Sequence, residues 1–208
     1  MRYIFFENLP PNIFLNIIDY PENVWYNTLI WIFMAIFQKG GFYMRILGID
    51  PGLAIVGWGA VSYNGVKFQT LGYGSIQTPA GMPTQKRLEL IWNGMNELFD
   101  RYKPDQMAVE ELFFNTNVTT GIAVAEARGV ILLSGIQHGV TVAEYTPLQV
   151  KQAVVGYGRA EKKQVITMVT TLLGLPKPPK PDDTADALAI AVCHAHSGCS
   201  RLAGYYNK

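Results

Sequence analysis

Four carboxylates stand where alternating strands and helices can gather them. Asp50 closes the apolar run Ile46-Leu47-Gly48-Ile49 and is followed by Pro51-Gly52, which places it at the C-terminal end of a buried parallel strand. Ligands and chemistry collect at that edge of an open α/β sheet. Glu110 repeats the position at the end of Gln106-Met107-Ala108-Val109, and Asp183 and Asp186 lie three apart at the start of a last helix, on one face. Simpler roles stand beside this: Asp50 as a turn opener, and Asp182 and Asp183 as helix caps. Asp186 resists such a reading. It precedes Ala187-Leu188-Ala189-Ile190-Ala191-Val192, a helix apolar enough to be largely buried, where an unpaired carboxylate is costly. A divalent cation offsets that cost. Two strand-end acids and two helix acids make a set suited to two Mg²⁺ ions, the arrangement that clamps the attacking and leaving oxygens in phosphoryl-transfer hydrolysis.

The elements that must position these acids follow from periodicity and punctuation. Residues 54–63 are apolar with interspersed glycines, Asn64-Gly65 signals a hairpin, and 66–77 reads as its antiparallel return. After Pro83, Leu88, Ile91, Trp92, Met95, Leu98, Phe99 and Tyr102 recur at helical spacing, ending at Lys103-Pro104-Asp105. Residues 115–137, rich in Ala, Gly and Val, predict a closely packed helix, and 140–145 a further strand. Pro147 opens another helix, Gly156-Tyr157-Gly158 closes it, and 161–172 is helical again. The proline-rich stretch 175–181 is neither helix nor central strand, and delivers Asp182-Asp183-Thr184-Ala185-Asp186 to the final helix. The pattern is α/β.

At 208 residues the chain holds one good-sized domain, and 17 Lys and Arg against 16 Asp and Glu name no partner by net charge. The distribution does. Residues 151–180 carry Lys151, Arg159, Lys162, Lys163, Lys177 and Lys180 against Glu161 alone, a phosphate-binding footprint or a solvated helix face. Cys193 and Cys199 form no disulfide framework, which suits a reducing cytoplasm, and the spacing of Cys193, His194, His196 and Cys199 fits no closed zinc site. Residues 1–43 differ in composition, and their longest apolar run, 29–37, is shorter than the roughly 20 residues a membrane span needs. With Met44 directly before the first strand, they read as an N-terminal extension outside the natural fold, with a peripheral membrane anchor as the alternative.

The succession Ile46-Leu47-Gly48-Ile49-Asp50-Pro51-Gly52, Ala108-Val109-Glu110-Glu111-Leu112-Phe113, Gln149-Val150-Lys151-Gln152-Ala153-Val154-Val155-Gly156, Ala160-Glu161-Lys162 and Asp183-Thr184-Ala185-Asp186-Ala187-Leu188-Ala189 closely resembles the RuvC family of bacterial Holliday junction resolvases. The resemblance runs from Met44 to about His196 in order and spacing. It implies a nuclease domain over 44–198 with a tail over 199–208, and a ribonuclease H-like fold, a mixed sheet flanked by helices. It implies a cytoplasmic homodimer that resolves four-way junction DNA in recombination and repair, with RuvA and RuvB as partners. Cutting would be paired and symmetric, leaving 5′-phosphate and 3′-hydroxyl ends. By that resemblance Asp50, Glu110, Asp183 and Asp186 are the metal-binding acids, with two Mg²⁺ ions and Mn²⁺ as a substitute. Lys151 and Lys162 match residues that contact DNA near the scissile phosphate, while Arg159 and Lys163 join them on local charge. Phe113 matches an aromatic that meets bases near the junction centre, with a core phenylalanine as the plain alternative and Phe114 as the competing ring.

Two other classes remain. An ATP-handling protein of the sugar-kinase and actin type calls for hydroxyl residues after the first aspartate and a second half; Leu53-Ala54-Ile55-Val56 supplies none and the chain is short. A non-catalytic DNA-binding module does not need all four acids.

Overall fold

The computed structural model describes residues 43–112 and 118–200, which belong to one unit of the chain, Phe42–Lys208. The expectations for residues 1–42, for Phe113 and Phe114 and for the tail beyond 200 lie outside the described residues. Strands β1 (Met44–Asp50), β2 (Ile55–Tyr63) and β3 (Phe68–Gln77) form an antiparallel meander. Helix α1 (Thr84–Tyr102) leads to β4 (Gln106–Glu110), and α2 (Val118–Gln137) to β5 (Thr141–Tyr145). Helices α3 (Pro147–Val155), α4 (Lys162–Leu172) and α5 (Asp182–Ser200) complete the described chain. The sheet order is β3-β2-β1-β4-β5. β4 lies parallel to both β1 and β5, so the sheet is mixed and β1 sits at its centre. Read from sequence as a parallel strand, β1 is parallel on one edge alone.

The two faces of β1 divide the core. Leu47 and Ile49, with Val56, Ala60, Met107 and Val109, pack on Ile91, Met95, Leu98 and Phe99 of α1 and on Ala127 and Ile131 of α2. Ile46 and Ala108 point the other way, to α5, which lies against β1 and β2 on one side and α3 and α4 on the other. That sandwiched position is why residues 187–193 are apolar all round, and each is at most 1% exposed.

Local chemistry sets the boundaries. Asn64 Oδ1 accepts from the main-chain N–H groups of Val66 and Lys67 at 3.1 and 2.8 Å, so the hairpin turn takes residues 64–67 and β3 begins two residues later than the sequence suggests. Thr146 caps α3 reciprocally: Gln149 N–H donates to Thr146 Oγ1 at 3.2 Å, and Thr146 N–H to Gln149 Oε1 at 2.8 Å. Glu161 and Gln164 repeat the device at the start of α4, orienting its first turn.

Candidate active site

The acids converge because side chains alternate along strands. Ile46, Gly48 and Asp50 share the α5 face of β1, as Gln106, Ala108 and Glu110 do on β4, and the parallel register Gly48↔Ala108 sets the two strand-end acids side by side. Glycines bring the helix down to them. A Cβ on Gly48 would lie 2.2 Å from the carbonyl oxygen of Ala187, and one on Gly57 2.0 Å from that of Asp183. Gly57 is the register partner of Asp50, so the first turn of α5 comes to rest beside that acid. Thr184, fully buried, donates its hydroxyl to Gly74 O at 3.1 Å and ties the same turn to β3. The turn after Asp50 is fixed as well: Thr78 Oγ1 donates to Leu53 O at 2.6 Å and accepts from Arg87 Nε at 2.7 Å.

Electrostatics report how close the acids are. Burial first, then the charges of Glu110, Asp186 and Asp183, push the Asp50 carboxyl up to about 8, against the opposing pull of Lys162. Burial and Asp186 raise Glu110 to about 7, while Lys162 and Lys151 hold it down. Among the described residues, no group of three or more His, Cys, Asp or Glu side chains is closed tightly enough to hold a metal ion as it stands. The acids form an open set. Its oxygen-only donors fit a hard divalent cation such as Mg²⁺, and a cation between them would relieve the repulsion that raises both carboxyls.

Asp186 corrects an expectation. Its carboxylate is neither buried nor unpaired: the side chain is 31% exposed and Lys162 Nζ lies 2.8 Å from its Oδ2, with Asp182 Oδ2 at 3.8 Å. Desolvation works against the Lys162 ammonium, but the hydrogen bond to Asp186 and the charges of Asp186, Asp182 and Asp183 outweigh it and raise its pKa above the lysine norm. The desolvation penalty expected at Asp186 falls on Asp50 and Glu110 instead.

The basic residues divide. Lys162 joins the acids, and Lys151, half-buried on α3, is near enough to act on Glu110. Arg159, on the link from α3 to α4, is exposed. Lys163 lines a cavity of about 460 Å³ with Tyr157, Met168 and Thr171, where Lys162 does not reach. Cys193 is buried, His194 bonds Tyr145 and Gln106, and His196 Nδ1 donates to Ala153 O at 3.2 Å, so these side chains belong to the interior of the fold.

Residues 46–194 match the family model described as Crossover junction endodeoxyribonuclease RuvC. The chain belongs to the RuvC family. Crossover junction endodeoxyribonuclease RuvC of Alkaliphilus metalliredigens is 60% identical over 155 residues, 74% of this chain and 94% of that protein. Its counterpart in Alkaliphilus oremlandii is 58% identical over the same shares. Among solved structures, T. thermophilus RuvC in complex with Holliday junction substrate is 37% identical, covering 76% of this chain and 96% of that one, with a TM-score of 0.73. The fold expectation holds: a mixed sheet flanked by helices on the RuvC plan, in an enzyme of an endodeoxyribonuclease family. The family carries with it dependence on a divalent metal. Among the described residues no helix is long and apolar enough to cross a membrane.

Sequence reasoning missed Arg128. Its Nε donates to the main-chain carbonyl of Glu110 at 3.3 Å and its Nη2 to Glu144 Oε2, with the side chain only 16% exposed. The available signal was a single arginine in a helix made mostly of apolar and small residues.

Proposed function

We propose that the chain resolves four-way DNA junctions by hydrolysing phosphodiester bonds, with Asp50, Glu110, Asp183 and Asp186 holding two Mg²⁺ ions, which Mn²⁺ can replace. The observation that carries this is the convergence of the four acids at one sheet edge, with Asp50 and Glu110 pushed up to about 8 and about 7. Bound there, the ions would supply a nucleophilic water and stabilise the departing 3′ oxygen, giving 5′-phosphate and 3′-hydroxyl ends. The chain's own residues do the rest. Carboxylates fixed at two strand ends and on one helical turn keep the metal sites in register, and Lys162, withdrawing from Asp186, offers its ammonium to the DNA phosphate. Lys151, Arg159, Lys162 and Lys163 supply most of the affinity through phosphate contacts, and Phe113 stacks on a base at the junction centre.

A four-way junction has two opposed strands to cut, which two identical sites related by a two-fold axis would match. The homodimer we propose uses α2. Ile122, Glu126, Gly129, Leu133 and Ile136 are all exposed and recur at spacings of four and three, the seam of two packed helices. Gly129, with nothing within 4 Å of an added Cβ, leaves room for close approach. The natural fold begins at Met44, the enzyme is cytoplasmic, and RuvA and RuvB are its branch-migration partners on this reading.

The test is a gel assay with a synthetic four-way junction and a linear duplex of the same sequence, with and without Mg²⁺. Paired nicks on the junction alone, only with metal, are the expected result; equal cutting of the duplex or metal-independent cutting overturns the proposal.

A further inference from the structure

We propose that Arg128 is a positioning residue for Glu110, locking the acid by its main chain rather than by its carboxylate. This rests on Glu110 being a metal ligand. β4 ends at Glu110, and Glu111 N–H still reaches Tyr145 O at 2.9 Å before the chain leaves the sheet. At that departure point the Glu110 carbonyl accepts from Arg128 Nε at 3.3 Å, and the other arm of the guanidinium bonds Glu144 Oε2 on β5. One planar fork therefore spans α2, β4 and β5. A guanidinium holds two acceptors at a fixed separation, which a lysine ammonium does not. With the Arg128 side chain 16% exposed against 43% for Glu144, the arginine end of the pair is shielded from water and the bond to Glu110 O is sheltered. The Glu110 side chain leaves the same residue toward α5. Rotation of its peptide would swing the carboxylate away from Asp50, which the parallel register Ile49↔Val109 sets beside it.

The experiment compares the full chain with Arg128→Ala, Arg128→Lys, Glu144→Gln and Glu110→Gln. Three readouts are taken: thermal midpoint, the Mg²⁺ concentration for half-maximal junction cutting, and Ca²⁺ affinity by calorimetry without DNA. For Arg128→Ala, the half-saturating Mg²⁺ concentration should rise about tenfold and Ca²⁺ affinity weaken to match, with junction binding in Ca²⁺-saturated gel shifts retained. Arg128→Lys should recover the thermal midpoint more fully than the metal dependence, because charge is restored and the fork is not. Glu144→Gln, which keeps an acceptor for Nη2, should leave metal dependence within about twofold. Should Arg128→Ala fail to fold, the lysine variant alone decides: normal metal dependence there overturns the proposal. Equal loss of thermal midpoint in Arg128→Ala and Arg128→Lys with unchanged metal dependence would reduce Arg128 to a fold-stabilising salt bridge. Robust cutting by Glu110→Gln would instead remove the ligand assignment on which the inference stands.

Discussion

Gly57 and Asp183 meet backbone to backbone: a Cβ on Gly57 would stand 2.0 Å from the carbonyl oxygen of Asp183 and 3.1 Å from its Cβ. Since Gly57 is paired across the strands with Asp50, this one contact sets the height of α5 above the site. Gly57→Ala must lift the first turn of α5 or bend β2. We expect a loss of about 1–3 kcal/mol in urea unfolding, the usual cost of overpacking, together with weaker metal binding. Unaltered stability would show that the helix is not seated on this glycine.

The raised carboxyls give the metal-free protein a characteristic pH dependence. With Asp50 pushed up to about 8 and Glu110 to about 7, the folded state binds protons more tightly than the unfolded one across the interval from about 4 upward. Stability is then greatest at the acidic end of that interval and is lost as pH rises through about 7 and 8. Denaturation in EDTA from pH 5 to 8.5 should show this decline. Asp50→Asn should flatten it and raise stability at pH 8.5, where the charged carboxylate costs most, since each unit of upward shift corresponds to about 1.4 kcal/mol. Added Mg²⁺ should stabilise the parent most above pH 7. A profile level from pH 5 to 8.5 would mean the acids do not repel one another as described.

Much of the fold is legible in the sequence because its signals are local. The strand-end acids follow from apolar runs cut short by Pro51 and by the end of Gln106–Glu110, and the α3 and α4 boundaries from Thr146-Pro147 and Glu161. What is hidden is pairwise and long-range. Nothing in the neighbourhood of Lys162 announces that α4 crosses α5 and sets its ammonium on Asp186, because both residues have ordinary local roles, an early helix position and a place near a cap. Likewise Gly48 and Gly57 read as weak points in strands, and only the packed helix shows that they are clearances. Arg128 escapes for the same reason: its acceptors are 18 and 16 residues away, on two different strands.

The seam on α2 predicts its own disruption. Leu133 and Ile136 are 52% and 65% exposed, so replacing both by Asp removes little from the core and should leave thermal stability within about 1 kcal/mol. Sedimentation should nevertheless show monomers, and junction cutting should fall to slow, unpaired nicks. A double variant that remains dimeric would move the interface elsewhere.

A chain beginning at Met44 should fold and cut junctions as well as the full chain does, since β1 starts at that residue. Circular dichroism and the junction assay test this, and loss of either property would make residues 1–43 part of the working protein.

The four acids separate catalysis from binding. Asp50→Asn, Glu110→Gln and Asp186→Asn each remove charge from a cluster whose task is to hold metal, whereas affinity for DNA comes chiefly from cations that these changes leave in place. Each should therefore abolish cutting and keep junction binding, which should tighten as negative charge near the phosphates is lost. Asp186→Asn has a further effect: it frees Lys162 from its partner at 2.8 Å, so tightening should be largest there and should shrink when Lys162→Ala is added. Asp183→Asn distinguishes a ligand from a cap. As a ligand it should lose cutting at least a hundredfold with little change in stability; as a cap it should cost about 1 kcal/mol or less and leave cutting near normal. Binding is read by gel shift in Ca²⁺, which occupies oxygen sites but supports this hydrolysis poorly, and cutting in Mg²⁺ on the same preparations. Robust cutting by Asp50→Asn or Glu110→Gln would end the two-metal assignment, and failure of the folded parent to bind a junction would end the resolvase reading.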